Sequence, residues 1–377
     1  MAACDENGLL DLDEAIARLA AAIPGPSWEE LRADRDDPAL DIAAMDGAAM
    51  RSADGGSPRS VIGTLFAGDD PAAFQVGTDE AVRIMTGAAI PEGADCVVPV
   101  ELLREVVNGL VPSEAPKAGA NIRRRGSHAK LGDELLPEGR PLTAARVGLR
   151  AWTGLPVPPP KRIRVGIAST GDELSGDPAS WQIRDSNGPM LAALTHNLGA
   201  WALRLPPLPD VKGALNERLS DLTGLSVLIT SGGVSMGEKD LMPVALRELG
   251  ANILFHRLNL KPGKPMLAAI LGRTVVLGLP GNPQGAYLNA RIFLPIVLAR
   301  LQGTEVPELW RRGQLTEAVA NKGERPLLHP CRREGDRLSP LPSRSSGDLV
   351  TLARADACAW IPAGGAAAGA VRYLDLL

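Results

Sequence analysis

Between residues 161 and 305 short apolar runs alternate with amphipathic segments, and this alternation constrains the fold more than any other feature of the chain. "RIRVGIAS", "WALRL", "LSVLIT", "NILFHRLNL", "MLAAIL" and "TVVLGLP" read as strands. "NGPMLAALTHNLGA", "VKGALNERLSDL", "LMPVALRELG" and "NPQGAYLNARIFLPIVLARLQG" read as helices. Strands alternating with helices predict a mostly parallel, doubly wound sheet covered on both faces. Ligands of such sheets bind beyond the carboxyl ends of the strands, which is where the polar turns of this segment fall.

The rest of the chain is written differently. "LDLDEAIARLAAAI" (10–23) predicts a helix that stops at Pro24. From about 31 to 139, short apolar runs broken by Gly, Pro and Asp predict an irregular β-rich domain. "LTAARVGLRAWTG" (142–154) returns to helix, and "LPVPPPK" (155–161) reads as a stiff linker. Residues 306–377, with the turn "PAGGAAAGA", predict a small β domain. The expected class is therefore α/β multidomain. Residues 1–30 and 140–160 form a discontinuous elongated helical-strand region, 31–139 the irregular β-rich domain, 161–305 the doubly wound domain and 306–377 the C-terminal β domain.

A length of 377 residues exceeds one comfortable core, in keeping with several domains. The net charge of −4 argues against a nucleic-acid partner, whose binding rests on neutralising phosphates. Cys4, Cys96, Cys331 and Cys358 are scattered without a C-x-x-C pair, which speaks against a disulfide framework or a structural zinc. No basic leader precedes an apolar stretch, and no apolar run reaches the ~18 to 20 residues of a membrane span. The expectation is a cytoplasmic protein with no membrane partner.

The turns carry the chemistry. "TSGGVSMGEKD" (230–240) places Ser231, Gly232, Gly233, Ser235 and Gly237 between a strand and a helix. Such glycines let backbone N–H groups approach an anion at the helix start. Glu238 and Asp240 beside an anion site make sense if Mg²⁺ bridges them, since Mg²⁺ is held by one or two carboxylates plus phosphate oxygens. A glycine-rich turn with solvated acids reads equally well from this segment alone.

A second turn, "GLPGNPQGAYL", sets Pro280 and Pro283 around Gly281 and Asn282, giving a rigid loop before a helix. "KPGKP" holds Lys261 and Lys264 close, and two neighbouring ammonium groups repel unless an anion lies between them. "STGDEL" ends the first strand of the sheet with Asp172 and Glu173. "IRDSNGPM" supplies Asp185, Ser186 and Asn187, the last two of which serve as well for helix capping. Earlier in the chain stand Asp46 in "AAMDGAAMRSAD", Thr86 in "RIMTGAAIPEGADCVV", and Arg123, Arg124 and Arg125 in "GANIRRRGSHAK". Spacing alone takes these three no further.

Taken in order, "MDGAAMR", "RIMTGAAIPEGADCVV", "GANIRRRGS", "STGDEL", "RDSNGPML", "TSGGVSMGEKD", "KPGKPM", "GLPGNP" and "LARADA" resemble the MoeA-type molybdopterin molybdenumtransferase family, which includes the gephyrin E domain. The resemblance covers nearly the whole chain. It implies a four-part fold and a homodimer whose active sites are shared between subunits. It also implies insertion of molybdate into adenylylated molybdopterin, with Mg²⁺ as cofactor, release of AMP and formation of molybdenum cofactor. A docking partner of the molybdopterin adenylyltransferase kind follows as a further expectation.

Carried residue by residue, the resemblance makes Asp46, Glu173 and Asp240 catalytic acids, and these with Asp210 the metal ligands. Thr86, Ser186, Asn187 and the two glycine-rich turns become substrate-binding. Lys261, Lys264, Arg325 and Ser346 become the molybdate site. The chain departs from the pattern at Ala48, where the family usually has an aromatic, and at Ser127 and His128, where it has an acid pair. It departs again at Leu241–Pro243, where Tyr-Thr-Lys is common. Two other readings stay open: a diverged non-catalytic paralogue that binds molybdopterin or acts as a scaffold, and a molybdopterin adenylyltransferase. Val234 and Ser235 after Gly233, where the latter group has Thr-Gly, speak against the second.

Overall fold

The computed structural model describes residues 8–107, 109–157, 159, 161–208, 212–222, 224–234 and 241–376. It divides into two compact units. One contains the described residues of 1–26, 141–143 and 158–377, and the other those of 27–140 and 144–157.

The larger unit is built on α1 (Leu12–Ala22), β1 (Arg164–Ser169), α2 (Asn187–Asn197), β2 (Trp201–Arg204), α3 (Lys212–Asp221), β3 (Val227–Ser231), α4 (Met242–Glu248), β4 (Asn252–His256), β5 (Leu267–Leu271), β6 (Thr274–Leu279) and α5 (Pro283–Gln302). The sheet order is β2-β1-β3-β6-β5-β4. Neighbours are parallel from β2 through β6, and β5 runs antiparallel to both of its neighbours. Alternate side chains leave each strand on opposite faces. Ile167, Ile229 and Leu277 enter one core with α1 and α5, whereas Ala168, Leu228 and Val276 enter another with α3 and α4. Covering both faces is what makes β1 and β3 read as unbroken apolar runs. Each buried Leu, Ile or Phe contributes about 1.5–3 kcal/mol.

Helix α5 is the central support. It is apolar nearly all round, as a helix buried on all sides must be. Asn282 caps it by accepting from the Gly285 N–H at 2.8 Å, Pro283 opens it, and Gly303 at φ 70° ends it.

The same unit continues into a closed barrel of β7 (Trp310–Leu315), β8 (Leu327–Glu334), β9 (Arg337–Pro340), β10 (Ala357–Ile361) and β11 (Gly369–Asp375), in the order β7-β9-β8-β10-β11. A short helix, α6 (Leu349–Ala353), precedes β10. Closure leaves no free edge and encloses Leu315, Leu338, Ala359, Ile361 and Tyr373.

The second unit is rich in short strands, and it also takes in the helix Ala144–Trp152, which the sequence reading groups with residues 1–30. Its main sheet runs Ser60–Leu65, Glu80–Ile84, Gly47–Met50, Cys96–Pro99. Gly47 is required there, because a Cβ would lie 1.9 Å from the Val98 carbonyl oxygen. Among the described residues no helix is long and apolar enough to cross a membrane.

Candidate functional site at the carboxyl edge of the sheet

The chain leaves β1 toward β2 and comes back across β1 to β3, so the β1–β3 boundary is where the winding reverses. Grooves at such a point receive ligands. Three turns meet at this edge, after β1, β3 and β6. The Thr170 N–H and Oγ1 both donate to the Ser231 carbonyl, at 2.9 and 3.2 Å. The Gly232 N–H donates to the Leu279 carbonyl at 3.0 Å. Gly232 and Gly233 take φ of 97° and 68°, and a Cβ on Gly232 would lie 2.5 Å from Thr170 Oγ1. Close backbone approach is what those glycines permit. His256 Nε2 holds the Val234 carbonyl at 2.9 Å. Ser235, Gly237, Glu238 and Asp240, and likewise Asp210, lie outside the described residues.

Asn187 joins two of the turns. Its buried Nδ2 donates to Ser231 Oγ at 2.7 Å and to the Gly281 carbonyl at 2.8 Å, leaving Oδ1 buried without a partner. Ser186 precedes the helix without capping it through its side chain. The capping is done by Asp185, whose Oδ1 accepts from the Gly188 N–H at 2.8 Å and from Ser169 Oγ at 2.9 Å. Arg204 donates to its other oxygen at 3.0 Å. The Asp-x-x-Gly spacing before an apolar run was the available signal for this role.

The lysine loop lies between the sheet and the barrel. The Lys261 N–H donates to the Pro326 carbonyl and its own carbonyl accepts from Leu328, at 2.9 and 2.7 Å. Arg325 Nη1 donates to the Leu260 carbonyl at 2.8 Å. Asn289, fully buried in α5, donates from Nδ2 to the Gly263 carbonyl at 3.0 Å. Gly263 has φ 118° and a Cβ there would lie 2.6 Å from Asn289 Oδ1, so only glycine fits between the lysines. Both Lys261 and Lys264 are exposed.

A cavity of about 230 Å³ opens beside this loop, lined among others by Lys261, Gln284, His329, Arg344, Ser345 and Ser346. Lys261 and Ser346, predicted from sequence as one site, thus line one cavity, while Lys264 and Arg325 do not line it. Burial holds the His329 imidazole below its ordinary pKa, which favours the neutral ring. Gln284, Asn289 and Arg344 escaped the sequence reading, since a lone amide or arginine carries no spacing signal.

Glu173 is exposed just past β1, its carboxylate folded over Gly171, where a Cβ would lie 2.5 Å from it. Among the described residues no cluster of three or more His, Cys, Asp or Glu could hold a metal ion. A single exposed carboxylate such as Glu173 is a donor of the type Mg²⁺ takes when phosphate oxygens and water complete its shell.

Asp46 and Thr86 belong to the other unit and are joined there. Asp46 Oδ1 accepts from both the N–H and the Oγ1 of Thr86, each at 2.7 Å. The backbone N–H first and the hydroxyl second hold the Asp46 carboxyl below its ordinary pKa. The arginine run is exposed, and it is ion-paired: Arg124 pairs with Asp41 and Arg125 with Asp36, each at 2.6 Å. His128 Nδ1 lies 2.8 Å from Asp37. Ala48 is completely buried between Met50, Val98 and Leu110.

Residues 11–154 match the family described as "MoeA N-terminal region (domain I and II)", and 166–299 the one described as "Probable molybdopterin binding domain". The molybdopterin molybdenumtransferase of Synechococcus elongatus is 33% identical over 363 residues, covering 89% of this chain and 87% of the relative. That of Haemophilus influenzae is 35% identical over 319 residues, covering 82% and 76%. In fold, the chain resembles a molybdopterin biosynthesis MoeA protein of Pyrococcus horikoshii with a TM-score of 0.75 at 23% identity, over 98% of this chain and 100% of that one. On these similarities the chain belongs to the molybdopterin molybdenumtransferase family of transferase enzymes.

Proposed function

We propose that the protein, acting in the cytoplasm, inserts molybdate into adenylylated molybdopterin and releases AMP, giving molybdenum cofactor. The names of its relatives support this reading. The observation that carries it is the meeting of three features at the amino end of α5. The turn at 280–283 lies there, tied by Asn187 to the turn after β3, and Gln284 of the same helix lines the cavity beside Lys261. A substrate with a phosphate-rich end and an oxyanion needs such a pairing of backbone N–H groups with fixed positive charge.

In this reading the two turns hold phosphate oxygens, and Lys261 with Ser346 receives molybdate, with Lys264 and Arg325 supporting that loop. Glu173 would hold Mg²⁺ together with Asp240, Asp210 and a second subunit's Asp46. When bound, the ion would offset negative charge on the phosphoanhydride. Two copies share each site, the second contributing Asp46 and Thr86, and a molybdopterin adenylyltransferase docks to hand over the substrate.

The test is AMP release by purified protein from adenylylated molybdopterin under anaerobic conditions with Mg²⁺, with and without molybdate. Molybdate-dependent release is the expected result. Tight binding of the substrate with no release under either condition would overturn the reading.

A further inference from the structure

The segment 343–348, which supplies Ser346 and Arg344 to the cavity, belongs to neither the sheet nor the barrel strands. Its own bonds fix its shape. Asp348 caps α6 by accepting from the Thr351 N–H at 3.0 Å and Oγ1 at 2.8 Å, and reaches back to the Arg344 N–H at 3.3 Å. Those N–H groups, Thr351 first, hold the Asp348 carboxyl below its ordinary pKa, so it stays an acceptor at neutral pH. The Asp348 N–H donates to the Ser345 carbonyl at 3.1 Å. None of these bonds determines where the segment stands relative to Lys261.

Gln284 does. It is 2% exposed, in the first turn of α5. Its Nε2 donates to the Asp348 carbonyl at 2.9 Å and to Ser343 Oγ at 3.3 Å, gripping the segment near both ends. Its backbone N–H donates to the Ser346 carbonyl at 3.2 Å. That N–H lies in the first helical turn, whose donors have no partner within the helix, so the segment satisfies one of them. Elsewhere in the same lining, Lys261 is stitched to β8 through Pro326 and Leu328. The cavity is thus bounded by a lysine anchored to the barrel and a Ser/Arg segment anchored to the helix that follows the 280–283 turn.

We propose that Gln284 is a positioning residue for an oxyanion pocket in which Arg344, not Lys264, is the second cation facing Lys261. The proposal rests on the function proposed above. Lys261 and Arg344 both line the cavity, and its serines supply hydroxyl donors, a set suited to a small tetrahedral dianion. Gln284 touches none of the reacting atoms. It sets the oxyanion affinity by holding Ser346 and Arg344 at a fixed distance from Lys261, while the same helix start meets the phosphate-binding turn.

The experiment is isothermal titration of the full-length protein with sodium molybdate, together with the molybdate KM and kcat of AMP release. Gln284→Met keeps the bulk and removes the amide donors, and Arg344→Gln removes the exposed charge without disturbing a buried group. Each lost charge-assisted or buried hydrogen bond is expected to weaken molybdate binding by about tenfold. The KM for molybdate rises accordingly, while kcat at saturating molybdate falls less than twofold. A residue that only supports the fold would instead lower the melting temperature and reduce kcat. Wild-type binding that survives unchanged in folded Gln284→Met overturns the positioning role and leaves the proposed function standing. If that variant does not fold, unchanged binding in Arg344→Gln overturns the pocket. Absence of molybdate binding to the wild type also overturns it, and AMP release then reports separately on the function.

Discussion

Asn187 donates to Ser231 Oγ at 2.7 Å, from a side chain that reaches across the sheet's carboxyl edge to the Gly281 carbonyl as well. One buried amide therefore couples the turn after β3 to the turn before α5. If those turns act as one phosphate cradle, loosening Asn187 loosens both.

Asn187→Ala removes the donor and leaves buried acceptors unpaired. The expected loss of stability is about 1–3 kcal/mol. Substrate affinity falls with it. Urea unfolding with an unchanged m-value, followed by a substrate titration, measures the two effects. Full stability in the variant would show that solvent replaces the bond and that the turns are independent.

The two lysines of the loop are expected to differ, because only Lys261 lines the cavity. Lys261→Ala removes a charge-assisted donor from the oxyanion pocket, so the molybdate concentration for half-maximal AMP release rises by about tenfold. Lys264→Ala has the smaller effect, and neither variant loses nucleotide binding. Equal shifts in the two titrations would sink the cavity as the oxyanion site.

Ala48 is a packing choice as this structure has it. It is wholly buried, so an aromatic side chain at this position has no room without repacking around Met50, Val98 and Leu110. Ala48→Tyr is expected to destabilise the protein by about 1–3 kcal/mol, the usual cost of overfilling a packed core. Chemical denaturation checks it. A stabilised variant would mean that the cluster has slack.

Acid should weaken the smaller unit. The Arg125 N–H and the Arg124 side chain hold the Asp41 carboxyl below its ordinary value of 3.8, and the Leu131 N–H and Arg125 do the same for Asp36. Carboxyls strengthened as acids by folding contribute stability above that ordinary value, and lose it as pH falls through the lowered one. The melting temperature is therefore expected to hold between pH 5 and 7 and to drop below about pH 4. Arg125→Gln flattens part of that drop. Circular dichroism melts across the range follow it, and identical acid profiles for wild type and variant would contradict the assignment.

The strands and helices of the larger unit were legible because burial on both faces writes long apolar runs, and the turns between them were legible as glycine and proline clusters. "KPGKP" and "GLPGNP" announced rigid loops in the same way. Gln284 and Asn289 were not legible. Each acts through a hydrogen bond to a backbone carbonyl distant in sequence, and single polar residues in a largely apolar helix have no periodicity to betray that.

What the sequence determined by itself is the order and type of the elements, the edge of the sheet where the glycine-rich turns gather, and the residue types placed there. These follow from local physics: periodicity, glycine's freedom and proline's stiffness act within a few residues. The tertiary structure decided which of those residues line one cavity. Lys261 and Ser346 line one cavity although 85 positions separate them, because Gln284 of α5 holds the 343–348 segment and β8 fixes the lysine loop. Asp46 and Thr86, 40 positions apart, are likewise brought into contact by a hydrogen bond that no local rule foretells. Contacts of that kind are set by the packing of whole elements, which the chain specifies only collectively.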